Sequence, residues 1–287
     1  MLANRRQATL MISVIIPTYN ARELLAGCLR SCLEQEYGDY EVIINDDPRS
    51  TCDNEGLVEE MRARGMDVTY LRENLARAQG RRDAAVHARG EIMLHLDTDM
   101  EVTPRLFAEC VEMVESGYDA LVIPEESFGP TFWGRCRRLE RQCYEGVERM
   151  EALRCVTSSV YRELGGHHPQ MVYFEDKDLD LRVRSKGCKV GRTQSKILHN
   201  EGNLRLRDLM LKRAEYASNA VIAADYYPDE IRWLGNVRNR YMLFFNRREL
   251  FLADPLVGVG TLIMKTCEFS VGALSYFRAR RTRSRCR

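Results

Sequence analysis

Ile92-Met93-Leu94-His95-Leu96-Asp97-Thr98-Asp99 is the stretch that decides the fold. Its first five residues are mainly apolar and predict a buried strand over 92–96. The two carboxylates follow directly where that strand ends. Burying such a strand would carry both carboxylates to one edge of a sheet, so the stretch predicts a structural element and a candidate site together.

The surrounding sequence alternates strand-like and helix-like segments. The predicted strands are Ile12–Pro17, Tyr40–Ile44, Val68–Leu71 and Ala120–Ile123, and two further strands are predicted at Cys155–Tyr161 and Val190–His199. The predicted helices are Ala21–Gln35, Leu57–Arg64, Arg77–Ala88 and Pro104–Ser116. This alternation is typical of βαβ units and predicts an α/β protein with a mostly parallel sheet. Ligands bind such sheets at the carboxyl ends of the strands.

Three polar clusters follow predicted strands at that edge. They are Thr18-Tyr19-Asn20, Asp46-Asp47 and Asp97-Thr98-Asp99. Two carboxylates separated by one residue can hold Mn²⁺ or Mg²⁺ against a diphosphate, because these ions prefer oxygen ligands and take few from the protein. Alone, the pair is more typical of an ordinary acidic turn, and its place after a strand favours the metal.

Two further groups have both a structural and a functional interpretation. His199 follows the apolar run Lys196–Leu198 and is either a structural histidine or a further metal ligand. The acidic cluster Glu175–Asp178 precedes a helical segment, where carboxylates favour a helix N-terminus. The same cluster would also supply a general base for an acceptor hydroxyl.

Taken together, these motifs resemble the family 2 glycosyltransferases of the GT-A fold. The matching segments, in the family's order between about residues 11 and 200, are Ser13–Asn20, Asn45–Asp47, Gly80–Ala84, Leu96–Asp99, Gly165-Gly166, Glu175–Leu179 with Arg182, and His199. The resemblance implies a Rossmann-like, mostly parallel sheet with flanking helices, followed by C-terminal amphipathic or hydrophobic helices. It implies an inverting, metal-dependent enzyme that uses a nucleotide-sugar donor.

The resemblance also implies residue roles. Asp176 would be the catalytic base, and Asp99, Asp97 and His199 would lie at the metal, with Asp99 favoured as the direct ligand. The remaining substrate-binding residues would be Pro17, Thr18, Tyr19, Asn20, Asp46, Asp47, Arg81, Thr98, Arg154 and Glu175. The sequence departs from the family at Asp47-Pro48-Arg49, where glycine is usual after the aspartates, and at Arg82, where asparagine is usual.

A narrower resemblance, to members of microbial glycan assembly, rests on Phe132-Trp133, Leu139–Arg141, Tyr144, Glu151–Arg154 and His199–Gly202. Arg154 would suit a diphosphate or an acceptor phosphate, and the alternative is an exposed face of a charged helix. The formal net charge of +1 gives no argument for a nucleic-acid partner. The ten cysteines contain no C-x-x-C pair and the first residues are polar, so a reduced, cytoplasmic protein without a signal peptide is expected.

The C-terminal segment has its own pattern. Residues 256–277 are mainly apolar, with small or polar residues at three- and four-residue spacing, and Arg278–Arg287 holds six arginines and no acid. Lys265 and Glu268 disfavour a simple span, so a helix at the cytoplasmic face of a membrane is expected, with a helix packed on the domain as the alternative. A membrane surface makes a lipid-linked acceptor compatible with the sequence.

The expected organisation is therefore a catalytic domain over 1–228, with a nucleotide-binding half 1–125 and an acceptor half 126–228. Residues 229–287 would form the membrane-associated helical segment with its Arg-rich tail. Two rival functions are a sugar nucleotidyltransferase and a non-catalytic nucleotide-sugar-binding module. A sugar nucleotidyltransferase would be expected to have a Gly-rich, Lys-containing loop near the N-terminus. A non-catalytic binding module would not need Asp176.

Overall fold

The computed structural model describes residues 10–73 and 77–285, and a mixed sheet lies at its centre. Seven strands form this sheet: β1 (Ile12–Thr18), β2 (Tyr40–Asp46), β3 (Val68–Leu71), β4 (Ile92–His95), β6 (Ala120–Val122), β8 (Leu153–Thr157) and β9 (Val190–Arg192). Their order across the sheet is β3-β2-β1-β4-β8-β6-β9. The pairs β1–β2, β1–β4, β2–β3 and β6–β9 are parallel, whereas β8 runs antiparallel to both of its neighbours. The expected α/β class with a mostly parallel sheet is confirmed.

Helices cover the two faces of the sheet. In the first part of the chain they are α1 (Arg22–Leu33), α2 (Asn54–Ala63), α3 (Arg77–Val86), α4 (Leu106–Glu115), α5 (Phe132–Gln142), α6 (Ser158–Glu163) and α7 (Glu175–Ser185). Helix α1 shows why they form: Leu25, Cys28, Leu29 and Cys32 recur at helical spacing and are all fully buried against the sheet. The predicted strand 155–161 is wrong in its second half, because β8 ends at Thr157 and α6 begins at Ser158.

A second, three-stranded sheet sits at the edge where β4 ends. It contains β5 (Met100–Val102), β10 (Ile197–Asn200) and β7 (Glu125–Phe128), in the order β5-β10-β7. The single strand expected over 190–199 is wrong, because β9 joins the main sheet and β10 joins this one. His199 therefore lies inside β10, directly opposite Met100 of the antiparallel β5.

The remaining helices form a bundle beside the sheet. They are α8 (Leu206–Tyr226), α9 (Pro228–Leu234), α10 (Val237–Asn246), α11 (Arg248–Ala253) and α12 (Pro255–Arg285). Helix α12 packs against α5 and α8. It is longer than the expected 256–277, because the arginine-rich residues continue the helix to Arg285.

Helix α12 buries several polar side chains together with Val257 and Met264, and it exposes several large apolar ones. Its small and polar stripe faces the protein: Thr261, Lys265 and Glu268 are 0%, 5% and 3% exposed. Its apolar stripe faces outward, where Leu256, Val259, Ile263, Leu274 and Phe277 are 49–67% exposed. Among the described residues one helix, Pro255–Ser284, is long and apolar enough to cross a bilayer, and 44% of its most apolar stretch is buried in the fold.

Candidate active site

Two cavities meet where β1, β2 and β4 end. The strand-end cavity, of about 540 Å³, is lined among others by Pro17, Thr18, Tyr19, Asp47 and Thr98. The central cavity, of about 500 Å³, lies between the small sheet and helices α7, α8 and α12. Asp97, Asp99, Arg77 and Tyr173 line both, so the carboxylates after β4 form the boundary between the cavities.

The loop after β2 accommodates its unusual proline. The Ser50 amide donates to the Asp47 carbonyl at 2.8 Å, which puts Pro48 at the second position of a tight turn, where its fixed φ is favourable. The guanidinium of Arg49 binds the Asp47 carboxylate, with Nε 2.8 Å from Oδ1 and Nη2 2.5 Å from Oδ2. Arg49 also lies over the ring of Tyr19, 5.7 Å from its centroid. Asp47, Arg49 and Tyr19 thus form one polar and aromatic corner of the strand-end cavity.

Asp46 and Asn20 support this corner from behind. The buried Asp46 carboxylate accepts hydrogen bonds from Ser50, Asn54 and Tyr70 at 2.6, 3.0 and 2.7 Å. Asn20, in the left-handed region at φ 48°, accepts at Oδ1 from the Thr51 amide at 2.7 Å. Neither is among the residues that line the strand-end cavity, so their geometry fits loop support, and their direct contact with substrate stays a prediction.

Arg81 lies beneath the carboxylates and is fully buried. Its Nη2 is 2.5 Å from Asp97 Oδ1, and its Nη1 is 2.9 Å from Glu175 Oε1 and 3.4 Å from Asp176 Oδ1. Because its side chain is 0% exposed, it faces no cavity and holds three acidic side chains in place. The predicted contact of Arg81 with a nucleotide stays a prediction. The buried position of Arg81 does not favour it.

Arg154, at the start of β8, does line the central cavity. Its Nη1 is 2.8 Å from Asp176 Oδ2 and 3.6 Å from Asp97 Oδ2, and its Nη2 is 2.8 Å from Glu125 Oε1. Burial acts to raise the pKa of Asp176, but Arg81 and Arg154 hold it well below its usual range. Asp176 is therefore ionised at neutral pH and 20% exposed to the cavity.

Asp99 and His199 lie next to each other in the wall of the central cavity. His199 Nε2 lies 3.2 Å from Asp99 Oδ2, and its Nδ1 lies 2.9 Å from Arg141 Nη2. Burial and Arg141 lower the pKa of His199, but Asp99 and Glu125 together raise it to about 9. The Asn200 amide donates to the Asp99 carbonyl at 2.8 Å, so the register of β5 and β10 fixes this pair.

The donor chemistry of this pair suits Mn²⁺ or Mg²⁺. Asp99 supplies a carboxylate that is 30% exposed, and His199 would supply a neutral imidazole after losing its proton. Asp97 is less free, since its two oxygens face Arg81 and Arg154. Within residues 10–73 and 77–285, no group of three or more His, Cys, Asp or Glu side chains could hold a metal ion. Phosphate oxygens and water would have to complete the coordination, as is usual for these ions.

Sequence reasoning missed four residues of this cleft: Glu125, Arg141, His167 and Tyr173. Glu125 begins β7 and contacts Arg141, Arg154 and His199. The buried His167 lies with Nε2 3.4 Å from Asp176 Oδ1 and with Nδ1 2.9 Å from the Tyr161 hydroxyl. A carboxylate soon after the predicted strand 120–123 was a usable signal for Glu125. Arg141 lies in the Leu139–Arg141 motif, which gave it no site role, and no local pattern marks His167 and Tyr173, whose roles come from tertiary contacts.

The fold and the cleft define a class: an α/β protein with an acidic, arginine-balanced cavity at the carboxyl ends of its strands, where nucleotides bind in such folds. The model of glycosyl transferase family 2 matches residues 13–164, more than half of the 287-residue chain. The chain belongs to glycosyl transferase family 2.

Curated relatives match over shorter stretches. A putative teichuronic acid biosynthesis glycosyltransferase of Bacillus subtilis is 33% identical over 94 residues, 31% of this chain and 36% of that protein. A GalNAc(5)-diNAcBac-PP-undecaprenol β-1,3-glucosyltransferase of Campylobacter jejuni is 26% identical over 132 residues, 43% of this chain and 42% of that protein. An undecaprenyl-phosphate 4-deoxy-4-formamido-L-arabinose transferase of Proteus mirabilis is 34% identical over 120 residues, 38% of this chain and 35% of that protein. The matches thus span less than half of the length of these relatives.

Solved structures resemble the chain over nearly its whole length. A mannosyltransferase of Pyrobaculum calidifontis in complex with GDP-Man and Mn²⁺ superposes with a TM-score of 0.66 at 16% identity, covering 93% of this chain and 86% of that one. S. aureus TarS 1–349 with UDP-GlcNAc gives a TM-score of 0.54 at 14% identity, covering 95% and 92%. At these identities the likeness concerns the fold, and it confirms the expected GT-A architecture.

Proposed function

We propose that this protein transfers a sugar from a UDP- or GDP-linked donor to a hydroxyl or phosphate of an acceptor, with inversion at the anomeric carbon. One observation carries the proposal. The central cavity has Asp99 and His199 on one wall and the ionised Asp176 on another, with Asp97 at its boundary to the strand-end cavity. An enzyme that separates a leaving diphosphate from an incoming acceptor needs two such neighbouring chambers.

The strand-end cavity would hold the nucleoside. Tyr19 is 54% exposed and offers a face for a base, while Asp47, fixed by Arg49, offers carboxylate oxygens to ring N–H groups. Thr98 donates to the Pro17 carbonyl at 3.0 Å and so ties the β1 loop to the carboxylate pair. Arg77 lines both cavities and would meet the diphosphate.

Asp176 would act as the general base in a single displacement. The acceptor O–H proton passes to a carboxylate oxygen of Asp176 while the acceptor oxygen bonds to the anomeric carbon. The bond from that carbon to the diphosphate oxygen breaks, and its electron pair leaves with the nucleoside diphosphate. Because Arg81 and Arg154 hold Asp176 as an anion, the base is ready without prior deprotonation, and the proton moves late, as the acceptor oxygen becomes acidic.

The proposal includes Mn²⁺ or Mg²⁺, held by Asp99 and His199 with Asp97 nearby. When bound, the ion supplies positive charge that offsets the charge developing on the leaving diphosphate. Asp99 would orient the diphosphate through this ion, and Glu125, whose Oε2 lies 3.5 Å from His199 Nδ1, would accept the Nδ1 proton and so fix the plane of the imidazole. The presence of GDP-Man and Mn²⁺ in the Pyrobaculum structure supports this part of the proposal.

We place the enzyme at the cytoplasmic face of a membrane, acting on a lipid-linked acceptor. The outward apolar stripe of α12 and its arginine-rich end support an interfacial position. A span is disfavoured because Lys265 and Glu268 are tied to Glu140 and Arg137 of α5. The undecaprenyl-linked substrates in the names of the Campylobacter and Proteus relatives support a lipid-linked acceptor. The division into residues 1–228 and 229–287 stays a proposal about chain organisation, since α12 also lines the central cavity.

The test is a screen of UDP- and GDP-sugars with Mn²⁺, in which release of UDP or GDP is measured. Asp99→Ala and Asp176→Asn should each lower the rate by about 100-fold or more, since each removes a group needed in the transition state. Asp229→Asn is the matched control, because that carboxylate is 87% exposed on α9. Nucleotide release that survived both site substitutions would refute the mechanism.

A further inference from the structure

The central cavity continues into a groove along α12. An inner groove of about 260 Å³ shares Tyr173, Phe174, Arg213, Tyr216 and Leu234 with the central cavity. An outer groove of about 580 Å³ shares Ile231, Gly235 and Tyr276 with the inner one. The three cavities therefore adjoin one another in a row, from the catalytic carboxylates to Phe277, Arg280 and Arg283.

The chemistry of the walls changes in a fixed order along this row of cavities. The central cavity is rich in charged side chains, whereas the inner groove has apolar, aromatic and glycine walls apart from Arg213. The outer groove has apolar walls interrupted by Asp225, which pairs with Arg283, and by Arg232 and Arg280. From Phe269 to Ser284, α12 supplies one wall over about 22 Å, at 1.5 Å per residue.

Two cations mark the point where the polar walls give way to the apolar ones. Within the described part of the chain, neither Lys212 nor Arg213 has a carboxylate partner within 4.0 Å. The Nε of Arg213 is buried and has no hydrogen-bond partner among the described atoms. Arg213 lines both the central cavity and the inner groove, and a guanidinium in that position without a carboxylate partner is suited to bind an anionic group.

We infer that this groove is the binding site for the hydrocarbon chain of an amphiphilic acceptor, whose phosphate or diphosphate lies at Lys212 and Arg213. The inference rests on the proposed function and adds the place and chemistry of the acceptor. The parts of such an acceptor match the order of the walls. Its polar group would lie near Asp176, its anionic group at Arg213 and its hydrocarbon chain along α12. The hydrocarbon chain of the acceptor would leave the groove beside Phe277, which is 59% exposed on the outward apolar stripe. The hydrocarbon chain would enter the bilayer at that point.

Farnesyl diphosphate is a suitable soluble probe, with inorganic diphosphate and farnesol as its two halves. Binding is measured by calorimetry with saturating UDP and GDP present, which keeps the probes out of the donor site. The full chain should bind farnesyl diphosphate at least about tenfold more tightly than inorganic diphosphate, because burying even a few CH₂ groups contributes that much. Equal affinities, or probe binding that disappears when the nucleotides are added, would overturn the inference.

Ala220→Trp fills the inner groove from α8 and should remove the farnesyl preference while leaving inorganic diphosphate binding unchanged. Ser218→Trp on the exposed side of the same helix is the matched control and should bind like the native protein. Ala273→Trp, an exposed position on the α12 wall, repeats the test should Ala220→Trp fail to fold. A folded blocking variant that keeps the preference would overturn the inference.

Arg213→Gln should weaken both diphosphates severalfold and leave farnesol binding unchanged, since only the anion contact is lost. Binding of the nucleotide sugar with Mn²⁺ is measured on the same samples. If the native protein binds the nucleotide sugar but shows no farnesyl preference, the groove alone is refuted. Farnesyl preference without any nucleotide-sugar binding refutes the proposed function and leaves the groove standing.

Discussion

At the scale of single residues, the site depends on two arginines that are almost completely buried. Arg81 is fully buried between Asp97, Glu175 and Asp176, and Arg154 is only 9% exposed. The carboxylates of Asp97, Glu175 and Asp176 line one cleft and would repel one another without such partners. These arginines keep Asp176 ionised and hold the neighbouring acids in place before any substrate binds.

Replacing Arg81 by methionine should lower the free energy of unfolding by about 3–5 kcal/mol, because it leaves buried carboxylates without their partner. Urea unfolding followed by circular dichroism measures the change. Arg82→Met is the matched control: the neighbouring residue on α3 is exposed, and its replacement should change stability by about 0.5 kcal/mol or less. Equal stabilities of the two variants would contradict the assigned role of Arg81.

Asp176 should give stability a distinct pH dependence. Its pKa in the folded state lies below the unfolded value of about 3.9, so its ionised form stabilises the fold above that value. This contribution is lost as the pH falls through the folded pKa. The native protein should therefore exceed Asp176→Asn in stability at about pH 7, and the gap should narrow between about pH 5 and pH 3. A gap that stayed constant over that range would argue against ion pairing with Arg81 and Arg154.

At the scale of elements, the alternation of strands and helices predicted most of the sheet, because buried strands and amphipathic helices carry local patterns. Asp97 and Asp99 were placed correctly at the end of β4 for that reason. The small sheet was not predicted, since β5 and β7 are three and four residues long and are defined by pairing with β10. Arg81 shows the same limit within the site: its position on a helix was readable, but which way it pointed was set by tertiary packing.

The small and polar stripe on α12 was visible in the sequence. The sequence did not show whether that stripe faces the protein or the outside. Gly260 lies on the buried side, where an added side-chain carbon would collide with the Phe132 ring and lie 2.8 Å from the Cys136 sulfur. Gly260→Leu should therefore destabilise the α5–α12 contact by about 1–3 kcal/mol. Ser270→Leu, on the exposed face of the same helix, is the control and should leave the thermal midpoint nearly unchanged. A Gly260→Leu variant with native stability would mean that α12 is not packed as described.

At the scale of the whole molecule, the outward face of α12 predicts binding to lipid. Val259→Asp combined with Ile263→Asp should reduce cosedimentation with anionic vesicles by about tenfold or more, because a charge placed in an apolar contact replaces a favourable transfer with a cost. The stability of the double variant should remain close to that of the native protein, because the two side chains are 56% and 49% exposed. The matched control, Val237→Asp, changes a side chain on α10 that is likewise 49% exposed. Unchanged vesicle binding in the double variant would assign the apolar stripe to another partner.

The buried arginines also bear on how the molecule is made. Because Arg81 and Arg154 already neutralise much of the acidic cleft, the chain can complete its fold before it meets a divalent cation. With the proposed requirement for a divalent cation, synthesis and activation would be separate events. A cell short of manganese or magnesium would accumulate an intact, idle enzyme, which would resume work as soon as the ion returned.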